Sequence, residues 1–310
     1  MSQVTRVIFY RHQNNAMKIL ITGASGQLGL SFVKKLRQTS WEFFSFTHEQ
    51  LNIADKHAVE SVVNEYKPDV IINTAAFTSV DLAEREVEEA YIVNSSSVEI
   101  ISVEAEKIGA LVIHFSTDYI FSGEKKSSYT ENDIANPMNI YGASKLAGEV
   151  ELRSNSSKYF LLRTSWVFSE VGNNFVKKIS QAARSGKELS VVNDQIGCPT
   201  YAGDLADAVI AILHRYEINK DLNFGVYHFA GQPAVSWFEF AEHILDSASR
   251  LGLVSKNVNV APASSQNHIV KRPANSVLDC SKINAEFSIC QSDWRRGLEK
   301  VLDKLAEEVI

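Results

Sequence analysis

Short, nearly unbroken apolar runs alternate along this chain with longer stretches in which apolar residues recur every three or four positions. The runs lie at 18–22, 42–46, 70–73, 111–115, 159–163 and 225–229. They predict strands covered on both faces, because a strand with one wet face alternates apolar and polar side chains. Helical periodicity follows the first run as far as Leu36 and returns at 56–66, 84–109 with one break, 144–152, 174–185 and 204–214. Strand and helix in regular alternation predict an α/β protein built on a doubly wound parallel sheet with right-handed crossovers.

After Phe168 the alternation loosens. A strand-like 189–192 and the turn Gly197-Cys198-Pro199-Thr200 follow one another without a covering helix of the earlier kind. The expected organisation is a dinucleotide-binding domain over 17–172, with segments near 200–232 and 274–282 returning to it. A smaller interleaved substrate lobe takes 173–199, 233–273 and the C-terminal helix. It should sit over the carboxyl edge of the sheet, where ligands of such folds bind. No linker rich in Gly, Pro or Ser separates the two, and no repeat is visible.

Composition narrows the partners. With 45% hydrophobic and 22% charged residues, the 310-residue chain reads as globular throughout. Its 31 basic and 37 acidic side chains leave a net charge of −6 with no basic block, which argues against nucleic acid or an anionic membrane as partner. Cys198, Cys280 and Cys290 lack CxxC spacing, as expected of reduced thiols in the cytoplasm and not of a disulfide framework or zinc site. No apolar run approaches the roughly 18 to 20 residues of a membrane span. Residues 1–16 hold only Val7 to Tyr10 as an apolar stretch, too short for a secretory core, and Met17-Lys18 directly precedes the first strand. A disordered leader over 1–16 is the expectation.

Gly23-Ala24-Ser25-Gly26-Gln27-Leu28-Gly29 lies between the first strand and its helix. Glycine permits a turn with positive φ, a close approach of backbone to a pyrophosphate, and tight packing of helix on strand. In a βαβ series this turn predicts a Rossmann dinucleotide site, with the phosphates at the helix N-terminus near Gly23, Gly26, Gln27 and Leu28. The second strand ends in Ser45-Phe46-Thr47-His48, with Glu49 only beyond it. A 2′-phosphate is therefore not repelled, which favours NADPH or dual use over strict NADH, although no arginine is present to fix the choice. Asn52 and Ile53 either flank the adenine or form a plain loop. Ala75 and Ala76, after the third strand, leave room for a cofactor along the strand end.

Tyr141 and Lys145 stand four apart in Asn139-Ile-Tyr-Gly-Ala-Ser-Lys145. On a helix they share one face, a turn apart. A cation held beside a phenol lowers its proton affinity and makes it a usable acid. The same spacing suits an ordinary amphipathic surface helix, and only the glycine turn upstream sets the two apart.

Taken in order, Met17-Lys-Ile-Leu-Ile-Thr-Gly23, Asn73-Thr-Ala-Ala-Phe-Thr-Ser-Val-Asp81, Ser116-Thr-Asp-Tyr-Ile-Phe-Ser-Gly123, the Tyr141 and Lys145 pair, Arg163-Thr-Ser-Trp-Val-Phe168, Asp194-Gln-Ile-Gly-Cys-Pro-Thr200 and Arg272-Pro-Ala-Asn-Ser276 resemble the extended short-chain dehydrogenases. Within them the chain resembles the dTDP-4-dehydrorhamnose reductases from about residue 17 to residue 300. The resemblance implies a hydride passed from NADPH or NADH to the C4 keto group of a dTDP-linked 6-deoxyhexulose. It implies Tyr141 as proton donor, Lys145 lowering its pKa and bonding the nicotinamide ribose, and Thr117 polarising the keto oxygen. Thr78, Asp118, Tyr119, Trp166 and Arg272 would contact the sugar nucleotide. For Tyr119 and Trp166 a place in the core is the competing reading; for Arg272 it is a surface ion pair. Asn174 and Gln195 are weaker candidates for substrate contact.

Some members dimerise around a metal held by glutamates. Here Ser31 and Arg295 stand at two of those positions and Asp204 near the third, so no metal and no metal-bridged dimer is expected, leaving a monomer or weak homodimer. Sugar-nucleotide 4-epimerases and 4,6-dehydratases share the Tyr, Lys and Thr. The missing acid after strand two and the Asp118-Tyr119 pair favour a reductase. A regulatory subunit like that of methionine adenosyltransferase is the non-enzyme alternative.

Overall fold

A computed structural model describes residues 16–186, 188–255, 258–266 and 269–308. The leader expected over 1–16 lies outside them except for Ala16. Six parallel strands form the central sheet: β1 (Lys18–Thr22), β2 (Glu42–Phe46), β3 (Val70–Asn73), β4 (Leu111–Thr117), β5 (Tyr159–Thr164) and β6 (Gly225–His228), in the order β6-β5-β4-β3-β1-β2. The order reverses between β1 and β3. That reversal opens a crevice beyond the carboxyl ends of the strands.

Eight longer helices follow in chain order: α1 (Gln27–Leu36), α2 (Lys56–Tyr66), α3 (Ser97–Ile108), α4 (Ile140–Asn155), α5 (Phe175–Arg184), α6 (Ala202–Ile218), α7 (Trp237–Arg250) and α8 (Trp294–Glu307). Phe32 and Leu36 of α1 and Leu205, Val209 and Ile212 of α6 pack on Ile19, Ile21, Ile72 and Ile113 of the sheet. Val59 and Val63 of α2 and Val98 and Ile101 of α3 cover its other side through Leu20, Ile71, Val112 and Leu161. Each such side chain contributes about 1.5–3 kcal/mol on burial, which is why the strands read as solid apolar runs. A separate cluster joins Val176, Phe240, Ile244, Trp294 and Leu298 from α5, α7 and α8 beside the parallel pair Leu189–Val192 and Val260–Ala263.

Three boundaries differ from the sequence reading in ways that matter for the site. Strand β4 runs on to Thr117 instead of stopping at Phe115, because Ser116 and Thr117 still pair with Arg163 and Thr164. Helix α4 begins at Ile140, not Ser144: Asn139 Oδ1 accepts from the Gly142 N–H at 2.8 Å and caps it. Tyr141 therefore sits in the first turn. The stretch expected as one helix with one break is instead Val80–Ala83, Val87–Tyr91, a π-helical turn Ile92–Ser96 and α3.

Candidate functional site

At the carboxyl end of β1, Gly23 has φ +68°, and a Cβ there would lie 2.6 Å from the Ala75 nitrogen. A Cβ on Gly29 would overlap the Gly23 carbonyl oxygen. No acidic side chain stands in the first turn of α1, so its N-terminus faces the crevice with its dipole uncancelled. Ser25 and Gly26 are exposed, Leu28 is half-buried, and Ala75 and Ala76 border the turn from the end of β3, half-buried. Asn52 is exposed, whereas Ile53 is buried with Leu51 and Phe46. For Ile53, then, only the backbone is left to meet a ligand.

Gln27 Oε1 accepts from Asn174 Nδ2 at 2.9 Å and Ser169 Oγ at 3.1 Å. Asn174 also donates to the Ser169 carbonyl and caps α5 through Oδ1. Its amide joins α1 to α5. Gln195 is buried.

The end of β4 carries the chemistry. Thr117 Oγ1 accepts from the Tyr119 N–H at 3.1 Å and donates to Asp118 Oδ1 at 3.0 Å. The Tyr141 hydroxyl meets the Thr117 hydroxyl, and the Tyr119 ring stands edge-on to Tyr141 with centroids 5.8 Å apart. Burial pushes the Tyr141 phenol up to about 12, and the hydrogen bond to Thr117 is what opposes it. Desolvation is the larger of the two effects, so the phenol is held in its protonated form. Burial raises the Tyr119 phenol as well.

Lys145 is buried and its ammonium is pushed down to about 8 by desolvation, with the Glu149 carboxylate acting in the other direction. Glu149 is occupied by Arg163, which donates to it twice at 2.9 and 2.7 Å in the buried interior. Among the described residues, buried Ser116 Oγ, Thr164 Oγ1, Asp118 Oδ2 and Ser292 Oγ have no hydrogen-bond partner. The first three gather at the carboxyl edge of β4 and β5. Orphaned polar atoms concentrated in one place mark a surface built to meet something polar.

Asp118 states the cost of that arrangement. Burial lifts its carboxyl from 3.8 to about 7, against the pull of the Ser276 and Thr117 hydroxyls. A carboxyl whose pKa rises on folding favours the fold fully below its unfolded pKa and ceases to do so as pH climbs through the folded value. Asp118→Asn is therefore expected to raise urea stability at about pH 8 by on the order of 2–4 kcal/mol and to change it little at about pH 4. An equal effect at both pH values would mean that the carboxylate is solvated.

Arg272 is where the sequence reading favoured a diphosphate contact. In the structure its Nη2 pairs with Asp81 at 2.7 Å, the surface ion pair that was the competing reading, and its guanidinium also reaches Tyr119. Thr78 is exposed nearby in sequence, after Ala76. Trp166 is half-buried at φ +47° and lies flat on Trp237, centroids 3.5 Å apart and 8° from parallel. It is thus a braced ring packed against the cluster of α5, α7 and α8, with one edge against Gly197.

Asn73, His114 and Asn94 were not singled out from sequence. Asn94, in the π-helical turn, donates to Ser144 Oγ at 3.0 Å and to the Phe77 carbonyl, and accepts from the Phe77 N–H, tying the loop after β3 to α4. The available signal was a polar residue inside an apolar strand or helix. At the positions expected to lack a metal, Ser31 donates to the Gln27 carbonyl and Arg295 pairs with Asp293 at 3.2 Å. Among the described residues no cluster of three or more His, Cys, Asp or Glu is arranged to hold a metal, and no helix is long and apolar enough to cross a membrane.

The family model described as the RmlD substrate binding domain matches residues 17–307. The dTDP-4-dehydrorhamnose reductase of Aggregatibacter actinomycetemcomitans is 43% identical over 287 residues, covering 92% of this chain and 98% of that protein. The chain belongs to the dTDP-4-dehydrorhamnose reductase family. The Bacillus subtilis spore coat polysaccharide biosynthesis protein SpsK is 39% identical over 93% of this chain and 97% of its own length. Among solved structures, the family member from Bacillus anthracis, crystallised in complex with NADP, superposes with a TM-score of 0.86 at 35% identity, covering 94% of this chain and all of that one. The match begins at Met17, directly before the first strand.

Proposed function

We propose that this chain passes a hydride from NADPH, or NADH, to the C4 keto group of dTDP-4-dehydro-6-deoxy-L-mannose (dTDP-4-dehydrorhamnose), giving dTDP-L-rhamnose. The observation that carries the reading is the meeting of the Thr117 and Tyr141 hydroxyls at the end of β4, with Lys145 one turn along α4. Gly23, Gly26, Gln27 and Leu28 would hold the pyrophosphate at the N-terminus of α1, in a turn packed too tightly against backbone for a Cβ at Gly23 or Gly29. Asn52 and Ile53 would border the adenine, and Ala75 and Ala76 the adjoining ribose. Bound there, the nicotinamide supplies the hydride.

The protein's part is to align the ketone and deliver a proton. Tyr141, kept protonated by burial, gives its O–H proton to the oxygen that becomes the alcohol. Thr117 offers a hydroxyl to the same oxygen as charge develops on it. Lys145 in its ammonium form offsets the phenolate left behind. Asp118, Tyr119, Thr78 and Trp166 would form the sugar pocket, and Arg272 would exchange exposed Asp81 for the diphosphate, a planar double donor being suited to either. The substrate lobe would be 173–199, 233–273 and the C-terminal helix, over a dinucleotide domain of 17–172 with returning segments at 200–232 and 274–282. A cytoplasmic monomer or weak homodimer without a metal bridge fits the three free thiols and the paired Arg295.

The test mixes purified protein with enzymatically made dTDP-4-keto-6-deoxy-L-hexulose and follows the absorbance of NADPH, then of NADH. One reduced nicotinamide consumed per ketosugar is expected. No oxidation with either nicotinamide contradicts the reading. Interconversion of a sugar nucleotide at C4 without net oxidation would move the chain to the epimerases.

A further inference from the structure

A line of buried side chains crosses the sheet beneath the site: Thr22 at the end of β1, Asn73 on β3, His114 on β4 and Lys145 on α4, none more than 3% exposed. The direction of its hydrogen bonds is fixed from one end. The Ala75 backbone N–H can only donate, and it reaches Asn73 Oδ1 at 3.2 Å, where Thr22 Oγ1 also donates at 2.7 Å. Oδ1 is thereby the oxygen, and Asn73 Nδ2 faces His114 Nδ1 at 3.2 Å. A donor facing Nδ1 requires a lone pair there, so the neutral imidazole carries its proton on Nε2.

That Nε2 lies 3.5 Å from Lys145 Nζ. Against an ammonium, an N–H donor is repulsive; against an amine, it is a hydrogen bond to the nitrogen lone pair. We propose that His114 is a positioning residue of this site: held as its Nε2–H tautomer by Asn73, it aims an N–H at Lys145 Nζ and stabilises the amine form of that lysine against the ammonium. The inference rests on the reading of Tyr141 and Lys145 as the proton-delivering pair.

The other titratable or charged groups around Lys145 do not undo this. Tyr141 and Glu149 share its helix, and Glu149 is committed to Arg163 of β5 through both oxygens. The π-helical turn brings only uncharged Asn94, at Ser144. His114 itself stays neutral, since burial and the Lys145 charge hold it well below its ordinary value. Desolvation by itself already brings the Lys145 ammonium down to about 8, and the facing N–H acts in the same direction.

The arrangement suits a reaction that consumes one proton per turnover. The Tyr141 O–H bond breaks as the alcohol O–H forms. The phenolate regains a proton as a Lys145 N–H bond breaks, and the amine, held by the His114 N–H, is reprotonated from water. A lysine held permanently as ammonium would return that proton far more slowly.

Two measurements decide it. Nitrogen-15 shifts of labelled histidine in the resting protein should report the Nε2–H tautomer for His114 at neutral pH; the Nδ1–H tautomer would overturn the proposal, whatever the protein's activity. Asn73→Asp keeps an acceptor for Ala75 and Thr22 but presents a second acceptor to Nδ1, which turns the Nε2 lone pair to Lys145. The alkaline limb of kcat/KM should then move up by about one pH unit or more. A lower rate with an unmoved limb would leave Asn73 and His114 as merely structural and contradict the proposal. A wild-type protein that reduces no ketosugar would sink the proposed function while the tautomer is still read from the spectrum.

Discussion

Tyr141→Phe is expected to lower kcat by about 10²–10⁴-fold, the range that a positioned general acid supplies. The change removes one oxygen from a ring that otherwise keeps its place in the first turn of α4, edge-on to Tyr119. Thr117 keeps its bonds to Asp118 and to the Tyr119 N–H, so the end of β4 stays ordered. The glycine turn and the α1 N-terminus are untouched, and affinity for NADPH, measured by fluorescence titration, should change less than about threefold, or under 1 kcal/mol. Since the hydroxyl acts on the oxygen that gains charge in the transition state, the loss should fall on kcat and kcat/KM together. Unchanged turnover would remove Tyr141 from the chemistry. A loss confined to KM would make it a binding group.

The second large effect is on stability. Glu149 and Arg163 form a bidentate pair with side chains 0% and 5% exposed. Arg163 also faces the Glu131 carbonyl and His228 Nε2, each at 3.4 Å, and neither replaces a carboxylate. Glu149→Ala leaves a buried guanidinium without its counter-charge, and breaking a pair in this way costs about 3–5 kcal/mol. Urea unfolding at neutral pH should show a lower midpoint at unchanged slope. Glu149→Gln, which keeps one acceptor, should recover part of the loss. A penalty below about 1 kcal/mol for the alanine variant would mean that water or a shifted side chain reaches Arg163.

Much of the scaffold was legible because it is decided locally. Strands β1, β2 and β3 and helix α2 begin and end where the apolar pattern does. Elsewhere local and tertiary signals part. Asn139 is a capping residue, but Ile-Tyr-Gly-Ala-Ser carries little apolar periodicity, so the pattern alone starts α4 at Ser144, a turn late. The π-helical turn at Ile92–Ser96 has no apolar signature; Asn94 justifies it only through contacts with Phe77 and Ser144. Arg272 and Asp81 are 191 residues apart, and no spacing could announce their pairing. The spacing of Tyr141 and Lys145 shows a cation one turn away, while the burial that raises the phenol depends on the whole fold.

The central claim is a net hydride transfer to C4 of a dTDP-linked ketosugar, with Tyr141 as the acid. It is tested most directly with NADPH carrying deuterium at the transferable position of the nicotinamide, incubated with the ketosugar and the protein, and the product read by proton NMR and mass spectrometry. The account predicts dTDP-L-rhamnose with deuterium at C4 alone, one oxidised nicotinamide per product, and almost no label incorporated by Tyr141→Phe in the same interval. Unlabelled product, or a sugar nucleotide altered at C4 with the nicotinamide returned to its starting state, would contradict it.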